Sequence, residues 1–93
     1  MKLRVKYSGQ LRTATRCGEE DVGWSPDRTL AELIAHLAER HAAGRPHLLS
    51  DSGAIRPSLL IAINDAAVMA NEANATRLRD GDVVWLLPPI AGG

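Results

Sequence analysis

One stretch of this chain carries a helical period, and the rest of the fold has to be built around it. Leu30, Leu33, Ile34, Leu37, Ala38 and His41 recur at the i, i+3, i+4, i+7 spacing that lines one face of an amphipathic helix. Thr29 and Glu32 stand in the T-x-x-E relation of a capping box, which satisfies the free N–H groups at a helix start. Ser25-Pro26 offers a rival start, with Ser25 as cap and Pro26 at the first helical position. The apolar period begins directly after Thr29, so the start is placed there. Gly44 reads as the C-terminal stop, and Pro46 blocks continuation. A single helix can cover one face of one sheet, so the 93 residues predict one domain of the α+β class.

The remaining periodic segments are strands. Leu3, Val5 and Tyr7 alternate with Lys2, Arg4 and Lys6, the pattern of a half-buried strand. Ser8-Gly9 interrupts it, and Leu11 to Arg16 reads as a loop or a continuation. Glu19-Glu20-Asp21 reads as a turn before a second short strand at Val22-Gly23-Trp24, so the two runs suggest a hairpin. Residues 45–58 hold two prolines and small polar residues, a long connection with a short helical turn expected around His47 to Leu49. Leu59 to Ile63 is a buried-strand run closed by the turn formers Asn64-Asp65, and Ala66 to Ala70 offers a short return strand. Asp80-Gly81-Asp82 is a strong turn signal. Val83 to Leu87 is the last strand, ended by Pro88-Pro89 because proline cannot donate to a sheet ladder.

Charge and composition narrow the function classes. Eleven basic residues balance eleven acidic ones, so no global field draws the chain to nucleic acid or to a membrane. No apolar run approaches the roughly 20 residues that span a bilayer. The charged start, Met1 to Lys6, is unlike a signal peptide, and the lone Cys17 fits a reducing compartment, so a cytoplasmic location is expected. Cys17 has no accompanying nucleophile motif and reads as a bland thiol. His36, His41 and His47 lack the i, i+4 spacing of a helical metal site, so no metal is expected. Asn74-Ala75-Thr76 matches a glycosylation acceptor that nothing else supports. Lys2, Arg4, Lys6, Arg12 and Arg16 precede the first acid, which raises the reading of a small RNA-binding module. Three aromatics are too few for a stacking platform, and a solvated strand face is the better account.

The most informative segment is the last. Pro88-Pro89-Ile90-Ala91-Gly92-Gly93 follows the final strand. Prolines fix φ and project a stiff strut, while glycines thread a channel too narrow for any side chain. A flexible tail over residues 88–93, on a domain of residues 1–87, is expected to be presented to another protein's active site.

Residues 78–93, with the order DGD, apolar strand, PP, aliphatic, small, GG, resemble the end of the ubiquitin-like sulfur carriers. The nearest resemblance is to the small subunit of molybdopterin synthase (MoaD), with the thiamine counterpart (ThiS) a step further away. The Thr29 helix start, the Leu59–Asn64 strand and the chain length fit as well. The resemblance implies a β-grasp fold, a mixed sheet of four to five strands covered by one main helix, with first and last strands parallel at its centre. It also implies a mechanism. A MoeB/ThiF-like activating enzyme would use ATP to adenylate the Gly93 carboxylate, and sulfur from a sulfurtransferase would displace AMP to leave a thiocarboxylate. The tail would then enter a MoaE-like large subunit, which uses that sulfur to build the dithiolene of molybdopterin. The chain supplies the reactive group at Gly92-Gly93 and binds no cofactor itself, and the catalytic side chains belong to its partners. Pro88, Pro89, Ile90 and Ala91 aim the tail. Carriers for tRNA thiolation and ubiquitin-related modifiers end in the same diglycine, so the fold and tail constrain the carrier chemistry more than the acceptor.

Strand parity puts Val84 and Leu86 on one face of the last strand and Val83, Trp85 and Leu87 on the other. Parity does not say which face is core. The resemblance implies that Val84 and Leu86 meet the helix, leaving Trp85 and Leu87 to dock a partner. A reading of another class is a ubiquitin-like adaptor whose diglycine is never activated, and such a protein would tolerate the loss of Gly93.

Overall fold

The computed structural model describes residues 1–88. Strand β1 spans Lys2–Tyr7 and buries Leu3, Val5 and Tyr7, as its alternation requires. Helix α1, Gln10–Thr15, follows where a loop or a continued strand was the expectation. Gly9 at φ 59° breaks the strand, and the helix buries Leu11 alone, so it is too short to display a period. Strand β2, Glu19–Gly23, takes in the acidic run that reads as a turn. Two of those acids face Arg4 of β1, which reaches Asp21 at 3.1 Å and Glu19 at 3.5 Å. Cross-strand charge pairing favours strand here over the turn that the side chains suggest in isolation.

Helix α2, Leu30–Arg40, starts as expected. Thr29 Oγ1 accepts from the Glu32 N–H at 3.3 Å, and Glu32 Oε1 accepts from the Thr29 N–H at 3.0 Å. The helix ends at Arg40, ahead of Gly44, and a 3₁₀ turn over Ala42–Gly44 leads into the short α3, Arg45–Leu48. Gly44 has a different role from a helix stop. A methyl group there would come within 3.3 Å of Thr15 Cγ2, so its smallness lets the turn pack on α1. Pro46 sits in the first turn of α3, where its missing N–H costs nothing.

Strands β3, Leu60–Ile63, and β4, Ala66–Val68, form a hairpin whose turn holds Asn64 at φ 54°. A 3₁₀ segment over Ala70–Ala75 replaces the far end of the expected return strand and buries Ala73. Strand β5, Val83–Leu87, completes a five-stranded sheet of order β2-β1-β5-β3-β4. β1 and β5 run parallel, and the other neighbouring pairs run antiparallel. The Asp80-Gly81-Asp82 turn pins that central pair. Asp80 Oδ1 accepts from the Lys2 N–H at 2.8 Å, and the N–H of Gly81, at φ 84°, donates to the Lys2 carbonyl at 2.8 Å. Leu30, Leu33, Ile34 and Leu37 of α2 join Leu3, Val5, Ile61, Val84 and Leu86 in one buried core. The arrangement is the β-grasp fold that the resemblance implies. Among the described residues no helix is long and apolar enough to cross a membrane.

Candidate functional site

The end of β5 is built by alternation. Val84 and Leu86 are fully buried beneath α2, as the resemblance implies. Trp85 therefore turns to the open face of the sheet, where it is 36% exposed, and Leu87 on the same side is half-buried. The β3–β5 register sets Leu60 opposite Leu87 and Ala62 opposite Trp85. Leu60 is 63% exposed, which corrects the reading of Leu59–Ile63 as a run buried on both sides. Its signal was hidden because the partner register, and so the outward parity, is fixed only by pairing with β5. Trp85, Leu87 and Leu60 thus form an apolar strip at the end of the sheet from which the tail departs. Lys6 lies across its edge, with Nζ 4.6 Å from the centre of the Trp85 ring.

Pro88 is buried. It lines a cavity of about 190 Å³ with Gln10, Pro46, His47, Arg56 and Ser58. Pro89, Ile90, Ala91, Gly92 and Gly93 lie outside the described residues.

A second grouping lies at the same end of the sheet, beneath α2. Glu20 of β2 accepts from the Tyr7 hydroxyl at 2.6 Å and sits 2.5 Å from His41 Nε2, while Arg40 Nε approaches its other oxygen at 2.9 Å. Burial alone would push the Glu20 carboxyl up. The hydrogen bonds from Tyr7 and His41, with the charges of His41 and Arg40, overcome it and hold the carboxyl below its ordinary value. Burial, then the hydrogen bond to Glu20, pushes the Tyr7 phenol far above its ordinary range, so it remains a donor. Cys17 closes the group, its sulfur and one donor atom from each of Glu20 and His41 all within 4.8 Å of one another. Sequence spacing gives no hint of this convergence, which sets a histidine and a carboxylate near a cysteine that reads in sequence as a bland thiol. The three histidines do not converge. His36 packs on Trp24 with ring centres 5.7 Å apart, His41 meets Glu20, and His47 lies beside Pro88.

The depressed Glu20 carboxyl has a consequence in acid. Its proton is bound more weakly in the folded chain than in the unfolded one, so it stabilises the fold above the ordinary value of 4.5. That contribution is lost as pH falls through the depressed value. Urea unfolding followed from neutral pH to the acid side of 4.5 is expected to show a shallower loss of stability in Glu20→Gln than in the parent. Parallel curves would remove Glu20 from the account of acid sensitivity.

Comparison with known proteins places this geometry. A profile of the ThiS family matches residues 5–93. Small archaeal modifier protein 3 of Haloferax volcanii is 27% identical over 95 aligned positions, covering 100% of both chains. Sulfur carrier protein CysO of Mycobacterium tuberculosis is 33% identical, again covering 100% of both. The crystal structure of SAMP1 from Haloferax volcanii shares the fold with a TM-score of 0.87 at 22% identity, with 100% of each chain covered. A putative molybdopterin converting factor, subunit 1, from Pyrococcus furiosus has a TM-score of 0.75 at 24% identity, covering 97% of this chain and 99% of its own. Because the family match runs from Val5 through Gly93 and one relative is 33% identical over its full length, the chain belongs to the ThiS family of ubiquitin-like sulfur carriers.

Proposed function

We propose that this chain carries sulfur as a thiocarboxylate on Gly93 and delivers it to the pterin precursor of molybdopterin. The observation that supports this best is the position of β5: a central strand whose outward side chains form an apolar strip, leading directly into Pro-Pro-Ile-Ala-Gly-Gly. A free carboxylate resists attack because its charge repels nucleophiles and oxide leaves poorly. A MoeB/ThiF-like enzyme holding ATP relieves both, joining the Gly93 carboxylate to the α-phosphate with loss of pyrophosphate. A persulfide on a sulfurtransferase then attacks the carbonyl carbon, AMP leaves, and thiol cleavage of the S–S bond frees the thiocarboxylate. The tail next enters a MoaE-like large subunit, where the sulfur is spent on the dithiolene. Trp85, Leu87 and Pro88 guide these encounters, with Pro89, Ile90 and Ala91 reaching into the partner.

A second destination is favoured by the names of the full-length relatives, a small archaeal modifier protein and a sulfur carrier designated CysO. In that reading the same activated Gly93 passes to another sulfur acceptor or to a protein amine. Incubating the thiocarboxylated chain with a MoaE-like subunit and the pterin precursor distinguishes them. Dithiolene formation supports the first destination. A chain that loads sulfur and yields none to the pterin supports the second.

Docking through the open face is tested at Trp85. Its exposure and its place opposite Ala62 mean that Trp85→Ala should leave stability within about 1 kcal/mol of the parent. Affinity for the activating enzyme should fall by about thirtyfold, the loss of a hot-spot aromatic. Calorimetric titration reads the affinity and thermal unfolding reads the fold. Unchanged affinity in the folded variant removes Trp85 from the docking surface.

A further inference from the structure

We propose that Cys17, Glu20 and His41 form a binding site for a borderline-soft divalent cation of the Zn²⁺ class. The site is separate from Gly93 and does not depend on the sulfur-carrying reading. Its donors are a thiol, a carboxylate and an imidazole, the three protein ligands that Zn²⁺ takes most readily. All three side chains are partly buried, and their donor atoms lie within 4.8 Å of one another. Around a tetrahedral Zn²⁺, with bonds of about 2.0–2.3 Å, neighbouring donors stand roughly 3.3–3.7 Å apart. About 1 Å of side-chain movement closes the widest gap, and His41 Nε2 and Glu20 Oε2, now 2.5 Å apart, part by about the same amount to admit the cation.

The backbone already holds the donors in place. Gly18-Glu19 separates Cys17 from Glu20, and the Gly18 carbonyl accepts from the Tyr7 N–H at 2.9 Å, tying that segment to β1. His41 ends α2 and is fixed by its own N–H, which donates to the Leu37 carbonyl at 2.9 Å. An outer shell is also present. The Tyr7 hydroxyl and Arg40 orient the Glu20 carboxylate, and the Tyr7 ring meets the His41 ring edge-on with centres 5.7 Å apart. Arg40 approaches the oxygen opposite the one His41 touches, so it can keep its contact while the cation takes the other. Thiolate and carboxylate together neutralise a divalent charge. Three protein ligands leave a fourth position for water or an outside ligand, the pattern of an open site. The thiol is held only by a long hydrogen bond to Thr15 Oγ1 at 3.8 Å, which leaves the sulfur open to a metal.

The test is a titration of the reduced, chelator-treated full chain with Co²⁺, followed by thiolate-to-cobalt charge-transfer absorption. One equivalent should produce that band together with tetrahedral d–d bands, and Zn²⁺ should abolish both. Cys17→Ser should lose the charge-transfer band, and Glu20→Gln and His41→Gln should each weaken binding at least tenfold, whereas His47→Gln should bind as the parent. Circular dichroism establishes that each variant is folded. As a check that needs no variant, Zn²⁺ should shift the Cys17 Cβ and His41 ring signals in the parent's nuclear magnetic resonance spectrum. Absence of the charge-transfer band, a band that persists in folded Cys17→Ser, or unshifted Cys17 and His41 signals would each overturn the proposal.

Discussion

Deleting Gly93 is expected to cut sulfur loading by about a hundredfold or more while leaving the thermal unfolding midpoint unchanged. The core described above is made by residues up to Leu86, so loss of the last residue removes none of its packing. The effect on chemistry is large because the carbon to be activated moves back by one residue, about 3.3–3.6 Å. A displacement of even 1 Å in a bound reactant can cost about a hundredfold in rate. The measurement is mass spectrometry of the tryptic peptide Asp80–Gly93, after incubation with ATP, activating enzyme and a sulfur donor, and after alkylation of the product. Replacing oxygen by sulfur adds nearly the mass of one oxygen atom, so alkylation separates the thiocarboxylate from an oxidised Trp85. The peptide contains neither methionine nor cysteine, which removes two other sources of the same mass. Normal loading of the shortened chain would mean that Gly93 is not the site, and an unloaded parent beside a loaded control carrier would favour the adaptor reading.

The largest effect on stability is expected from Leu86→Ala. Leu86 is completely buried in the central strand and pairs with Tyr7 on one side and Ile61 on the other. Truncating a leucine in such a position costs about 2–5 kcal/mol, from lost transfer free energy and from the cavity left behind. For a domain of this size each kcal/mol lowers the unfolding midpoint by about 4–8 °C, so a fall of about 8–40 °C is expected. Leu60→Ala, two residues' breadth away on the open face and 63% exposed, should shift stability by no more than about 0.5 kcal/mol. Paired thermal melts read both. Equal losses for the two variants would contradict the assignment of the sheet's buried and open faces.

That pair of leucines also shows what could be read before the fold was known. The period of α2 and its Thr29–Glu32 cap were legible because helix starts are local, set by residues three apart that bond each other. β1 was legible for the same kind of reason, its two faces differing in every second residue. Leu60 was misread because a short aliphatic run looks alike whether one side or both sides are buried, and only its register against β5 decides. Glu19 and Asp21 were misread because their strand depends on Arg4, which lies opposite them across the hairpin. Helix α1 offered one buried residue, too little for a period. The backbone character of the last six residues was legible because proline and glycine restrict or free the backbone wherever they occur. The grouping of Cys17, Glu20 and His41 was not, since α1, β2 and the end of α2 must all be placed before those side chains meet.

The parallel pairing of β1 with β5 has a consequence for how the protein is made. β1 leaves the ribosome well before β5 and cannot find its central partner until β5 has been synthesised. Until then β1 has β2 on one edge only and β3 has β4 on one edge only, so the nascent chain carries two unpaired edges of the kind that invite association with other chains. Closing the sheet is therefore a late, long-range event of the slow class, with its loop-closure entropy met before any contact between the ends forms. Termination codons that fall before Val83 should leave an aggregation-prone half-sheet, whereas those that fall after Leu87 should leave a folded domain.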